Sequence, residues 1–447
     1  EDNINDLTAY TESALTKADT GKWGGLIILG DAPINSNGGD ADTSPMTDKI
    51  EGVPTTSGIT FKSIPASYAL YGGTDSAHNA GTLKYVSIRH GGAEIGSDNE
   101  INGLTLGGVG SGTTIENIEV FANKDDGIEF FGGSVNAKNL VVAYCGDDSF
   151  DLDQGYTGQL QFLLAIQDAN SDNAVEWDGV DGNDDRLVTG TSNANGRIAN
   201  LTVIGDGAGS NGMMKITDNA AGAVWNSVFV AGKKMTIENT GKSKGGYDAT
   251  TNWGGSLGQL SDGNLTFAGN IFYISSSVTS PSDYVDTNAT SYIFPSSGAT
   301  NSITDPGLTD IDQTGGVNPH PTTSGAASSG AATLTDTSFL SQTTFRGAFS
   351  GYQVGNWLDG WTVVDSSSLV ADPVTTQTSG VIEVTADITS DATWTSSNTY
   401  VLKDYVFVAP GATLTIQPGT IIKAEVGTGD AAPALVVTNG GTINAVG

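Results

Sequence analysis

Apolar and polar residues alternate in short runs that recur along the chain, most clearly in residues 113–156. Ile115-Glu116-Asn117-Ile118-Glu119-Val120 returns as Ala137-Lys138-Asn139-Leu140-Val141-Val142 after 22 residues. At the same offset Asp125-Asp126-Gly127-Ile128-Glu129-Phe130 returns as Asp147-Asp148-Ser149-Phe150-Asp151-Leu152. A period of this size, built from short strands with Gly, Asn and Asp at the corners, predicts an all-β solenoid, the parallel β-helix. One such coil buries little by itself and must stack on another.

The same frame is filled by Leu83-Lys84-Tyr85-Val86-Ser87-Ile88, Ile198-Ala199-Asn200-Leu201-Thr202-Val203 and Val224-Trp225-Asn226-Ser227-Val228-Phe229. Asn117, Asn139, Asn200 and Asn226 hold equivalent places, and stacked amides there are expected to bond to one another and to the turn backbone. On a second face, alternation points Ile128, Phe130, Phe150, Leu152, Val175 and Trp177 inward and Glu129, Asp151 and Glu176 outward. An earlier apolar run, Leu26-Ile27-Ile28-Leu29, reads as a buried strand between glycines.

These patterns divide the chain into a β-helix body over residues 1–364, a linker over 365–380 and further coils over 381–447. Loop excursions interrupt the body near 31–71, which holds four prolines, and near 275–335, which is rich in Ser, Thr, Pro, Gly and Ala. Phe345, Phe349, Trp357 and Trp361 are bulky enough to close a coil end. In the last part, Pro410-Gly411 and Pro418-Gly419 mark turns between strands.

Composition adds chemistry to this frame. Glycine makes up 61 of 447 residues, as many tight corners require. Acidic residues outnumber basic ones 50 to 18, a formal charge of −32, which disfavours nucleic acid and anionic membranes and favours divalent cations. Calcium is the cofactor expected, held by Asp125, Asp126, Asp147, Asp148, Asp151 and Asp153, with Asp178, Asp181, Asp184 and Asp185 as further oxygen donors. The alternative is a solvated acidic face. No EF-hand loop or nonapeptide calcium repeat is present, and one Cys with three His argues against zinc. Cys145 sits in an apolar run and reads as a buried thiol. No run is long and apolar enough to span a bilayer, and no signal peptide opens the sequence, which reads as a mature or excised form if the protein is exported.

WGGLIILGDAPI, GTLKYVSIRHGG, EINGLTLGGVGSGTTIENIEVFANKDDGIEFFGG, NWLDGWT and YVLKDYVFVAPGATLTIQPGTIIKAEVGTGDAAPALVV together resemble a group of exported bacterial surface proteins, many of them lipoproteins. That resemblance implies a right-handed parallel β-helix at the cell surface or outside the cell, with no catalytic residues to carry over. In that group the segment matching 381–447 comes first, whereas here it comes last. A dozen coils rising about 4.8 Å each make a rod of roughly 60 Å, and a 16-residue linker spans at most about 55 Å. The displaced coils are therefore expected to pack on a neighbouring subunit, giving a head-to-tail homopolymer, a filament or surface layer with a structural role.

The alternative function is a polysaccharide-binding adhesin, or a lyase or hydrolase, on the same fold. Paired aspartates such as Asp151 and Asp153 are similar to those of polygalacturonases, but the Gly-His-Gly and Arg-x-Lys segments of those enzymes are missing, and His90 reads as a corner residue. No catalytic residue is therefore assigned. Trp225, Trp253 and Tyr247 are candidates to stack on sugars, with Trp225 placed in a coil frame and so expected in the core.

Overall fold

The computed structural model describes residues 15–36, 46–53, 65–96, 99–179, 195–207, 212–239, 255–298, 300–313, 317–351, 356–358, 360–364, 380–427, 429 and 432–446. The chain winds into a parallel β-helix whose two long sheets contain, among the described residues, nine and thirteen strands. The repeat seen in the sequence sets the stacking register. Thr114–Phe121 pairs in parallel with Asn136–Ala143, Ile115 against Ala137 and Val120 against Val142. On the other sheet Ile128–Phe131, Phe150–Asp153 and Val175–Asp178 follow one another with Ile128, Phe150 and Val175 in line.

Inward positions form the core as the alternation predicts: Ile128, Phe130, Phe150, Leu152, Val175 and Trp177 are fully buried. Each stabilises the coil by about 1.5–3 kcal/mol. The long strands bend at one residue in the left-handed region, namely Tyr85, Asn117, Asn139, Phe162, Asn200 and Asn226, with φ between 51° and 60°. Asparagine suits that backbone because its short polar side chain tolerates positive φ. At two of these corners the amides bond to a further segment, although Asn200 Oδ1 also accepts from the Gln161 amide of the adjacent coil at 3.0 Å. Asn200 Nδ2 donates to the carbonyl of Gly347 at 3.0 Å, and Asn226 exchanges two bonds with Ala332. A bond between stacked amides does form between Asn270 and Asn301.

Those partners belong to a strap formed by residues 331–351, 356–358 and 360–364, which turns back at the far end and runs along the flank of the spiral. Ala348 N donates to Thr202 Oγ1 at 2.9 Å. Phe349, Leu358 and Val364 cover the outward apolar residues Phe121, Val141, Leu164 and Ile204. Trp361 meets Tyr85 edge to face, and the amides of Val363 and Val364 both donate to Glu119 Oε1. The aromatic residues expected to close a coil end therefore form a strap along the side. The far end is closed instead by Gly255–Asp262 and Thr290–Ile293, which place Leu257, Leu260 and Ile293 in the main core.

The strap overturns the expectation that residues 381–447 pack on a neighbouring subunit. It carries the chain back to Tyr85 and Glu119, so the connection no longer has to span the rod. Leu435–Val437 pairs with Leu26–Leu29 of the same chain, and Thr442–Val446 pairs with Gly81–Arg89. The last coils of the sequence are thus the first in space, continuous with the body. Residues 365–379 of the expected linker lie outside the described residues, and Gly380 already begins a strand. The described parts of the excursion near 31–71 (31–36, 46–53 and 65–71) lie over the outer face of the nine-stranded sheet, where Ile34, Ile50, Val53 and Tyr71 cover Ile27, Leu29, Phe131 and Phe407.

At the junction Gly81 has φ 114°, and a Cβ there would meet the Ile443 carbonyl oxygen at 1.9 Å. Gly81→Ala is expected to lower the unfolding free energy by about 1–3 kcal/mol in urea titration. Cutting a protease site engineered into residues 365–380 should leave both fragments in one particle of unchanged mass; fragments that separate in native buffer would show that the coils are not stacked in cis.

Candidate metal centre

The register that aligns the core also aligns what points outward. Thr105, Glu129, Asp151, Glu176 and Lys215 succeed one another on adjacent strands, and Asp153 and Asp178 lie two positions further along. Turns before these strands add Asp125, Asp126, Asp147, Asp148 and Asp172. Among the described residues, carboxylate oxygens gather in three overlapping groups, each within 4.8 Å: Asp125 with Asp126 and Asp147; Asp126 with Glu129 and Asp151; Asp147 with Asp148 and Asp172.

Five of the six aspartates expected to hold calcium are thus brought together. Asp153 falls outside these groups, and its Oδ1 accepts from the Gln154 amide at 2.5 Å. Asp181, Asp184 and Asp185 lie outside the described residues, and Asp178 accepts from the Thr217 hydroxyl instead. Glu129 and Asp172 are members that the sequence reading did not name as metal ligands. Glu129 was legible only as an outward residue of the alternating strand.

The surroundings are drier than an exposed acidic face. Asp126, Glu129 and Asp148 are 8%, 6% and 4% exposed. Glu51 descends from the excursion over the sheet and hydrogen-bonds to Asn102 and Glu129. Asn102 Nδ2 also donates to Glu129 Oε2, while Asp126 Oδ1 accepts from the Asp148 amide at 2.8 Å. Asp151 Oδ1 is buried without a hydrogen-bond partner.

Burial first, and neighbouring carboxylates second, push these acids upward. Glu51 and Asp125 rise to about 7 and Asp178 to about 6; Asp126, Glu129, Asp148 and Asp151 stand well above the usual carboxylate range. The donors of each group are all carboxylate oxygens, the set that suits calcium or magnesium.

Other candidates fall elsewhere. His90 is a corner residue with φ 59°, its Nδ1 2.6 Å from the Asp19 carbonyl oxygen. Burial pushes the Cys145 thiol up. Trp225 is buried with Leu334 and Leu340 of the strap, while Trp253 and Tyr247 lie outside the described residues. Beyond the acidic stretch, the same face opens into a groove of about 510 Å³ lined by Lys215, Thr217, Lys234, Thr236, Glu238 and Asp286.

A family model described as a pectate-lyase-like beta helix domain matches residues 9–362 and 386–447. The chain belongs to that family. Its match breaks across residues 363–385, around the stretch read as a linker. No match is found among curated proteins or among solved structures. Family membership brings the architecture with it, whereas function has to be argued from the site.

The raised acids set the pH dependence. Their folded-state pKa values exceed the unfolded values, so the folded state binds more protons between them and stability falls as pH rises. In chelator the melting temperature is expected to be highest near pH 4–5 and to fall as pH passes about 6–7, where Asp178, Glu51 and Asp125 ionise. A melting temperature that climbs over this interval would contradict the burial of these groups.

Proposed function

We propose that the protein is a structural β-helix of the cell exterior whose acidic face is loaded with calcium. The observation that carries this reading is the group Asp126, Glu129 and Asp151, three carboxylates within 4.8 Å on adjacent rungs. Its supporting detail is the buried, unpartnered Asp151 Oδ1. Two ionised carboxylates 5 Å apart repel by about 3 kcal/mol at an effective dielectric of 20. A divalent cation between them converts that repulsion into coordination. An exterior setting agrees with the charge of −32, with millimolar-range extracellular calcium sites, and with the likeness to exported surface proteins.

A catalytic role fits the geometry less well. A carboxyl raised towards neutrality is what a general acid requires, but it must also reach the bond it protonates. Glu129 and Asp126 are covered, and the Lys215 ammonium is engaged by Glu176. Of the four arginines, Arg89 stands 4.0 Å from Glu119, Arg197 pairs with Asp336 and Arg346 donates to the Ser329 and Ala326 carbonyls, all away from the acidic groups; Arg186 lies outside the described residues.

The groove beside the acids favours a second reading, binding of an acidic polysaccharide. Asp147 and Asp172 are exposed, so an ion there can share its coordination with a uronate carboxylate. Lys215 and Lys234 lie further along the same face. This reading matches the polysaccharide alternative drawn from the sequence and needs the same calcium.

Calcium at a hundredfold excess over its Kd is expected to stabilise chelator-treated protein at pH 8 by about 2.7 kcal/mol, with Asp151→Asn removing most of the gain. Identical melting with calcium and with chelator would remove the proposal. Retention on immobilised polyuronate only when calcium is present would favour the second reading over a purely structural role.

A further inference from the structure

We infer that the first rung in space, formed by Gly380–Val384, Ile388 and Ala392–Trp394, is a self-association surface that seats the same rung of a second copy. Each part of this rung pairs on one side only among the described residues. Gly380–Val384 is the outer strand of its sheet, Ile388 bridges Val408, and Ala392–Trp394 is the outer strand of the thirteen-stranded sheet.

Register shows what this edge leaves open. Ile382 stacks on Tyr400 and Val384 on Leu402, both in the main core, so Ile382 and Val384 belong to the interior ladder. Ile382 is nevertheless 41% exposed, and Val381 39%. A core position is thus left half open to water because no coil covers it. Natural sheet edges are commonly guarded by proline, lysine or a covering loop. Here Gly380-Val381-Ile382-Glu383-Val384 offers one charge, Glu383.

The two ends of the spiral are unlike, and that selects the occupant. At the far end Tyr284 and Phe294 pack on Phe272, and the helical segments carrying Leu257 and Ile293 close the core. Among the described residues the two long sheets end there in the two-residue outer strands Thr236–Ile237 and Ser302–Ile303, too short to continue a neighbour's five-residue open strand, which opposes the head-to-tail growth expected from the sequence. An open rung facing an identical open rung meets an equal set of unpaired backbone groups and exposed apolar side chains. Such a contact is isologous, buries both edges at once and closes as a dimer. With a charge of −32 on each copy, the pair should tighten as salt rises.

Sedimentation of the whole chain from micromolar to millimolar concentration tests this. A monomer–dimer equilibrium is expected, weakened at least about tenfold by Val381→Lys, on the outer side of the strand, and by Ile382→Lys. Thermal melts on both variants check that the spiral stays intact, with Val381→Lys deciding if Ile382→Lys disturbs the rung. A monomer at every concentration, a ladder of larger species, or a dimer that Val381→Lys leaves unchanged in a folded chain would each overturn the inference.

Discussion

Parallel rungs lie about 4.8 Å apart, so a residue on one coil stands directly over its counterpart on the next. The constraint does not distinguish favourable from unfavourable neighbours. It places Phe150 between Ile128 and Val175, building a continuous apolar ladder, and on the same strands it places Asp151 between Glu129 and Glu176. Core and acidic face are two consequences of one register. A shift by one residue would exchange them, which is why the inward ladder fixes the outward one.

A spiral built this way has problems at its flanks and ends that stacking alone cannot solve. Outward apolar residues such as Val141 and Leu164 need a cover, and the strap supplies it. The described parts of the excursion near 31–71 do the same for Ile27, Leu29 and Phe407 on another face. These covers also determine connectivity. Because the strap finishes beside Glu119, the last coils of the sequence reach Leu26–Leu29 of their own chain.

Local features were readable from the residues where the cause is local. The 22-residue offset, the inward set from Ile128 to Trp177 and the burial of Cys145 all follow from alternation along single strands. The asparagine corners were located correctly and some of their amides do bond across coils, but the positive φ at Asn117 and Asn200 is a property of the bend that the spacing alone does not announce. The strap was illegible for a different reason. Phe349, Trp357 and Trp361 are spaced without period, and nothing in their order distinguishes a cap from a cover. Glu51 entered the acidic site through a tertiary contact of a loop, and so carried no signal in any strand pattern.

The acidic face remains compatible with folding because its cost is set against the ladder on the other side of the same strands. Each inward side chain contributes about 1.5–3 kcal/mol, comparable to the repulsion of about 3 kcal/mol between adjacent ionised carboxylates. Protonation or a bound cation can remove that repulsion without moving a strand, since the backbone register is already held by the core. What such a cation would control is therefore local. Glu51 sits on the excursion and touches Glu129 on the sheet, so the charge state of the ladder bears on how firmly that cover is held. The spiral supplies a row of carboxylate oxygens set by its register, and Glu51 ties the covering segment to that row.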